Sequence, residues 1–342
     1  MIKTAIVILN WNGKDFLKTF LPSVVKFSNS YENKIFVIDN GSDDDSVEFL
    51  KENYKNITLI LLEKNYGFAE GYNKGLSKIE AKYFILLNSD LEVTRNWIKP
   101  IIDFMDKNEN VAACMPKIKS YHFRENFEYA GASGGFIDKF GYPFCRGRIF
   151  EITEKDNGQY NEKMEVFWAS GACFFIRSNL YNSSGGLDKD FFAHMEEIDL
   201  CWRLKNLNYK IMCIPEVEVF HFGGGTMPKT SSRKLYLNFR NNLLMMYKNL
   251  EEEKLISILL KRMLLDWISA FMFLFKLEFS YFFAVFKAHI SFYKMTKKFK
   301  KKRQILQKKV LKNNHKTVYK KSIVFDFFIR RKKIFSKIIF KI

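Results

Sequence analysis

The sequence predicts an α/β protein built on a mostly parallel, doubly wound sheet, with an amphipathic helical extension towards its C-terminal end. Three observations point there. Short apolar runs alternate with amphipathic segments over the first hundred residues, several runs end in polar residues, and most of the positive charge lies outside this part of the chain. Such β-α alternation implies right-handed crossovers and gathers loops from several strands at one sheet edge, where open α/β sheets bind ligands.

The strand-like runs are Ala5 to Leu9, Ile35 to Ile38, Ile57 to Leu62 and Tyr83 to Leu87, separated by amphipathic segments near Phe16 to Phe27, Ser46 to Asn53 and Gly71 to Ile79. The first run ends in Asn10-Trp11-Asn12-Gly13 and lacks a small-residue cleavage site, so it reads as a strand and not as a signal peptide. The second delivers Asp39-Asn40-Gly41-Ser42, where Asp39 can either accept hydrogen bonds from a ribose or base or close an Asx-turn. The loop Lys64 to Asn73 carries Asn65, Gly71 and Asn73, and its glycines permit close backbone approach to a ligand or simply a helix entry. The fourth run delivers Asn88-Ser89-Asp90. Oxygen donors at that spacing suit a hard divalent cation shared with a diphosphate, and equally a helix cap or turn. No G-x-G-x-x-G follows the first strand, which argues against a dinucleotide-dependent dehydrogenase.

Further on, Trp97 to Asn108 reads as a helix and Val111 to Pro116 as a strand, whereas Tyr121 to Gln159 has no clear period and suggests hairpins or a loop over the site. Val166 to Ile176 reads as a strand broken at Ser170-Gly171, with Trp168 placed either to stack on a sugar or to fill the core. In Phe191 to Arg203, three carboxylates open a helix, and helix electrostatics account for Glu196 and Asp199. Glu197 falls on the same side as Leu200, Cys201 and Leu204, so its carboxyl is expected to hold its proton more tightly, as a general base requires. A last strand, Val217 to Phe220, delivers His221 followed by Phe222 and a glycine run, a ligand candidate with backbone room for phosphates.

Across 342 residues the hydrophobic share is 47% and the aromatic share 17%, enough for a large core. The net charge of +19 is local: residues 296–342 hold 18 Lys and Arg against the single Asp326. The first 295 residues are therefore nearly balanced, and nucleic-acid binding is not expected of them. Five widely spaced cysteines, Cys114, Cys145, Cys173, Cys201 and Cys213, form no C-x-x-C pair and read as reduced core residues of a cytosolic protein. Residues 1–250 are expected to form one domain, 251–295 an apolar amphipathic membrane-associating segment, and 296–342 a basic tail. Charges at Lys261, Arg262, Asp266, Lys276, Glu278 and Lys287 interrupt the apolar segment, so helices lying in the interface of an anionic membrane suit it better than a spanning helix. The other reading is a pair of ordinary core helices with a disordered tail.

In this order the motifs resemble those of glycosyltransferase family 2, the inverting nucleotide-sugar enzymes of GT-A fold, and within it the rhamnosyltransferase-like and galactofuranosyltransferase-like branch. The resemblance spans roughly residues 3–249 and rests on Val7 to Asn12, Val37 to Ser42, Asn65 to Ala69 with Gly71 and Asn73, Leu86 to Asp90, Ser170-Gly171-Ala172, the Phe191 to Arg203 block and His221 to Gly224. It implies donor binding by Asn10, Asn12, Asp39, Asn65, Gly71, Asn73, Asn88, Ser89 and Asp90, a Mg2+ or Mn2+ ion on Asp90 and His221, and Glu197 as catalytic base. It also implies a sugar and acceptor pocket of Trp168, Ser170, Gly171 and Glu196. Two departures stand out: Asn88 holds the first D-x-D position, and Glu197 stands where Asp is usual. The implied protein is a hexosyltransferase of cell-surface polysaccharide biosynthesis, peripheral on the cytoplasmic membrane face, using a nucleotide-diphospho-sugar donor and a saccharide or lipid-linked saccharide acceptor. The alternative is a weak or inactive GT-A scaffold that binds nucleotide-sugar or glycan.

Overall fold

The structure, a computed structural model, describes residues 2–30, 32–223 and 231–338. The strands β1 (Ile2–Asn10), β2 (Asn33–Asp39), β3 (Thr58–Leu61) and β4 (Ala81–Asn88) alternate with helices α1 (Lys14–Phe27), α2 (Ser46–Asn53) and α3 (Gly67–Leu76). Next come β5 (Leu91–Val93), α4 (Lys99–Lys107) and β6 (Val111–Ser120). The segment without a clear period forms the short strands β7 (Gly135–Asp138), β8 (Pro143–Cys145), β9 (Arg148–Ile149) and β10 (Ile152–Thr153). The chain then returns to the main sheet through β11 (Met164–Val166), β12 (Cys173–Arg177), α5 (Ser178–Ser183), α6 (Glu196–Asn206) and β13 (Lys210–His221).

The main sheet runs β11-β13-β6-β12-β4-β1-β2-β3, with β5 added against β13. β4, β1, β2 and β3 are mutually parallel, as are β6 and β13, while β12 enters antiparallel between β4 and β6. The fold is thus α/β with a mainly parallel central sheet. β1 and β4 are buried over nearly their whole length because helices cover both faces, the reason their sequences read as unbroken apolar runs. Residues Val166 to Ile176 are not one strand: six residues loop out between β11 and β12 around Ser170-Gly171. Conversely, the strand expected at Val217 to Phe220 is the end of a longer one, β13, which starts at Lys210 and has a register shift between Ile214 and Glu218.

Helices α7 (Ser232–Asn249), α8 (Glu252–Phe275) and α9 (Phe279–Gln307) follow, then β14 (Val318–Tyr319) and α10 (Ile323–Phe328). The boundary expected at 250 falls between α7 and α8, whereas the one expected at 295 lies inside α9. The chain beyond α9 folds back on the body. β14 pairs with β7, Ile323 N donates to Asp138 at 2.9 Å, and the Phe335 ring stacks on Phe136. Among the described residues, no helix is long and apolar enough to cross a membrane.

Candidate functional site at the C-terminal sheet edge

The register of the parallel strands brings Asn10, Asp39 and Asn88 to the same edge: Asn10 pairs with Asp39, and Leu9 with Asn88. Asn10 is buried and donates from Nδ2 to Asp39 Oδ2 at 3.1 Å. Asp39 also accepts from Ser42 N at 2.9 Å and Ser42 Oγ at 2.6 Å, three residues on, so its carboxylate closes the loop that follows β2. Asn12 joins the same loop, bonded to Ser42 and Asp43. Asn65 Oδ1 accepts from Gly67 N at 2.8 Å and from Asn40 Nδ2 at 3.2 Å, which fixes the entry to α3. Ser89 lies beside the first loop, its Oγ 3.7 Å from where a Cβ on Gly13 would stand.

Three residues expected in the site are used elsewhere. Asn73 donates to Leu187 O at 2.7 Å and accepts from Tyr181 OH at 2.6 Å, fastening α3 to the segment after α5. A Cβ on Gly71 would meet Asn40 Nδ2 at 3.0 Å and Leu9 at 3.1 Å, so this glycine lets α3 pack closely on β1. Trp168 is buried, its indole packed over Gly135 and its Nε1 donating to Phe136 O at 3.0 Å; a ring so enclosed has no free face for a sugar.

Beyond β4 the chain joins a second strand. Phe222 N donates to Asp90 O at 3.0 Å, and the side chains of Asp90 and His221 meet at 3.1 Å, Oδ1 to Nε2. The other ring nitrogen, Nδ1, lies 3.1 Å from Glu128 Oε2. Burial alone would depress the imidazole, but the flanking carboxylates override it and push His221 up to about 10. For Asp90 and Glu128 burial opposes ionisation, and the imidazolium between them reverses that, holding both below the ordinary carboxylate range. Glu128 carries no signal in the sequence: it lies in the aperiodic stretch and is brought to the site where Phe127 bridges antiparallel to Lys119, near the end of β6.

Asp90 and His221 suit a divalent cation by donor chemistry once the ring gives up a proton, since only a neutral imidazole can ligate. One carboxylate and one imidazole are within reach of each other, and Glu128 can orient the ring from its far nitrogen, as outer carboxylates do at metal-bound histidines. No cluster of three or more His, Cys, Asp or Glu among the described residues is arranged to hold a metal alone. An ion here would take its remaining ligands from substrate oxygens, the usual arrangement for a cation shared with a diphosphate. The part of the glycine run that follows Gly223 lies outside the described residues.

A chain of contacts leads from this triad to the acids of α6. Ala130 N donates to Glu128, Ser170 Oγ donates to Ala130 O at 2.5 Å, and Asn88 N donates to Ala172 O at 2.9 Å. Between them, Gly171 abuts Glu197: a Cβ there would lie 3.7 Å from the Glu197 Cβ and Cγ and 3.6 Å from the Phe68 ring, within ordinary contact. Glu196 is buried, and Oε2 of each acid is enclosed without a hydrogen-bond partner. Burial raises the Glu197 carboxyl to about 7. Glu196 is pushed well above the ordinary carboxylate range by burial and then by its neighbour Glu197.

The loop that delivers these acids is strained. Phe192, His194 and Met195 have φ of 67°, 70° and 72°, a region that residues with side chains avoid. Asn241 of α7 holds it, with Nδ2 3.0, 2.8 and 2.8 Å from the carbonyls of Phe191, Ala193 and His194. Arg240 donates to Asp190 O and Phe191 O, so it braces this loop. A separate hollow of about 310 Å3 lies near the start of β1, lined by Lys3, Thr4, Glu32, Asn33, Ile102 and Asp103, remote from the C-terminal strand ends.

The sequence pattern of the family described as Glycosyl transferase family 2 matches residues 5–183, more than half of the chain. The chain belongs to glycosyltransferase family 2. As a member it is a glycosyltransferase, and two of its curated relatives are rhamnosyltransferases. It is 22% identical over 234 residues to the N-acetylglucosaminyl-diphospho-decaprenol L-rhamnosyltransferase of Mycobacterium tuberculosis, covering 63% of this chain and 75% of the relative. It is also 22% identical over 228 residues to the rhamnosyltransferase WbbL of Escherichia coli K12, covering 64% and 82%. Among solved structures it resembles GalNAc-T7 with UDP, GalNAc and Mn2+, with a TM-score of 0.59 and 18% identity over 74% of this chain and about half (49%) of that one. The mannosyltransferase PcManGT of Pyrobaculum calidifontis with GDP-Man and Mn2+ matches with a TM-score of 0.52 and 9% identity, covering 85% of this chain and 86% of that one. At these identities the structural likeness speaks for the GT-A fold.

Proposed function

We propose that this family 2 enzyme moves a sugar, rhamnose-like or another hexose, from a nucleotide-diphospho-sugar to a saccharide or lipid-linked saccharide acceptor in cell-surface polysaccharide synthesis, with inversion at the anomeric carbon. The observation that carries the reading is the Glu197 carboxyl. It lies beside Gly171 with an enclosed, unpartnered oxygen, and its pKa of about 7 balances proton acceptance against retention near neutrality. In the proposed single displacement, the acceptor hydroxyl oxygen bonds to the anomeric carbon, the carbon–phosphate-oxygen bond breaks with its electron pair leaving on the diphosphate, and Glu197 takes the hydroxyl proton.

Asp90 and His221 would hold a Mg2+ or Mn2+ ion, which when bound supplies positive charge to the leaving diphosphate. The relatives' names support the sugar class, since two are rhamnosyltransferases and one acts on a diphospho-decaprenol-linked acceptor. Mn2+ in two structures of the same fold supports the ion. A lipid-linked acceptor places the enzyme peripherally at an anionic membrane face, here proposed as the cytoplasmic one.

The test is incubation of the full chain with a panel of nucleotide-sugars, with and without Mn2+, following released nucleoside diphosphate and the anomeric configuration of the product by NMR. Metal-stimulated release with an inverted product is expected. Donor binding without any release would favour a binding scaffold, and a retained configuration would remove Glu197 from the role of base.

A further inference from the structure

We infer that the α8–α9 hairpin is a docking face for an anionic lipid surface, with its apolar tip entering the interface and the lysine run of α9 at the level of the phosphates. The inference rests on the proposed lipid-linked acceptor for its purpose and on the following geometry for its substance.

The inner face of the hairpin is closed by polar pairing. Arg262 Nε donates to Asp266 Oδ1 at 2.7 Å, and Tyr142 OH, from the loop between β7 and β8, donates to the same oxygen at 3.2 Å. The outer face has no such cover. Between Ile256 and Phe275, the exposed positions of α8 are all large and apolar apart from Ser257 and Lys261. The turn into α9 is the most open part, with Phe275 85% and Leu277 73% exposed, and Phe279, Phe283, Ile290 and Tyr293 continue the face along α9. That stretch of α9 is roughly 21 Å long at 1.5 Å per residue. Exposed apolar surface of this extent, on helices too charged to span a bilayer, suits an interface-lying element.

Charge selects the occupant. α9 carries seven Lys, one Arg and no acid, and its basic residues gather from Lys294 onward, directly after the last exposed aromatic. A second copy docked parallel would bring two such runs together, a repulsive arrangement, and one docked antiparallel would set each run against an apolar tip, whereas anionic headgroups neutralise them. The same helix reaches the catalytic loop. Lys298 pairs with Asp190 at 2.5 Å and Lys302 with Asp190 at 2.6 Å, and the Phe299 ring stacks on Phe191. The docked face and the segment leading into Glu196 and Glu197 therefore share one rigid rod, which suits an acceptor presented at a membrane.

The experiment is co-sedimentation of the full chain with phosphatidylcholine vesicles, with and without phosphatidylglycerol, in the absence of donor and acceptor. The wild type is expected to sediment with the anionic vesicles and to be partly released by salt. The double substitution Phe275→Asp/Leu277→Asp and, separately, Lys294→Glu/Lys297→Glu should each weaken binding by roughly tenfold or more. These positions are exposed, and unchanged circular dichroism of the variants confirms folding. A wild type left in the supernatant with anionic vesicles, or a tip variant that sediments as well as the wild type, overturns the inference. Concentration-dependent dimerisation that the tip variant abolishes, without vesicle binding, would also overturn it and give the face to a second copy. Donor binding and transfer to a soluble acceptor are measured separately, so failure here is distinguishable from failure of the proposed transferase reaction.

Discussion

Replacing Glu197 with Gln tests the site through stability and through activity at once. In the folded state the acid titrates at about 7 instead of its ordinary 4.5, because burial penalises the ionised form. The folded protein thus binds this proton more tightly than the unfolded chain. Stability contributed by the protonated form is complete below about 4.5 and is lost as pH rises through 7. By pH 8 the ionised carboxylate costs the fold about 3 kcal/mol, since each pH unit of displacement is about 1.4 kcal/mol. Burying an amide in its place returns about 1 kcal/mol of that, leaving a net gain of about 2 kcal/mol for Glu197→Gln at pH 8 and little gain at pH 5. Urea unfolding at the two pH values measures the difference, while transfer should fall at least about a thousandfold with the donor still bound. A variant equally or less stable than wild type at pH 8 would refute the buried-acid argument, and one that retains transfer would remove Glu197 as base.

Three other outcomes are expected. Asn241→Leu takes the amide donor away from the carbonyls of Ala193 and His194, while Phe191 O keeps Arg240 and Ala193 N, and should cost about 2–4 kcal/mol in urea unfolding, with kcat down by about tenfold to a hundredfold at unchanged donor affinity, as the acid loop relaxes; unchanged kcat would separate the loop from catalysis. Asp90→Ala should weaken donor binding only when Mn2+ is present, read by thermal shift with and without the ion, and equal binding in both conditions would contradict the proposed metal site. His221 is held at about 10 against an ordinary 6.5, so its contribution to metal-free stability is full below about 6.5 and fades as pH rises through 10. Glu128→Gln removes one of the two carboxylates responsible, and unfolding measured between pH 6.5 and 10 should lose stability less steeply than in wild type; identical slopes would deny the contact.

Local pattern carries a good deal of this protein. Apolar runs of strand length alternating with amphipathic stretches are enough to imply a parallel sheet, because strands covered on both faces need no alternation and crossovers need helices. Polar residues at the ends of those runs point to the binding edge, and the side of the helix on which Glu197 sits is a consequence of 3.6-residue periodicity. What local pattern cannot carry is partner choice across long separations. Asn73 and Trp168 look like site residues until Leu187 and Phe136 are seen to engage them, and Glu128 looks like nothing until a bridge beside β6 brings it to His221. The basic segment is the clearest case. Composition reads it as a free tail, yet α9 runs through its expected boundary and β14 joins the small sheet, because backbone pairing and the apolar residues scattered among the lysines find partners that lie far away in the chain.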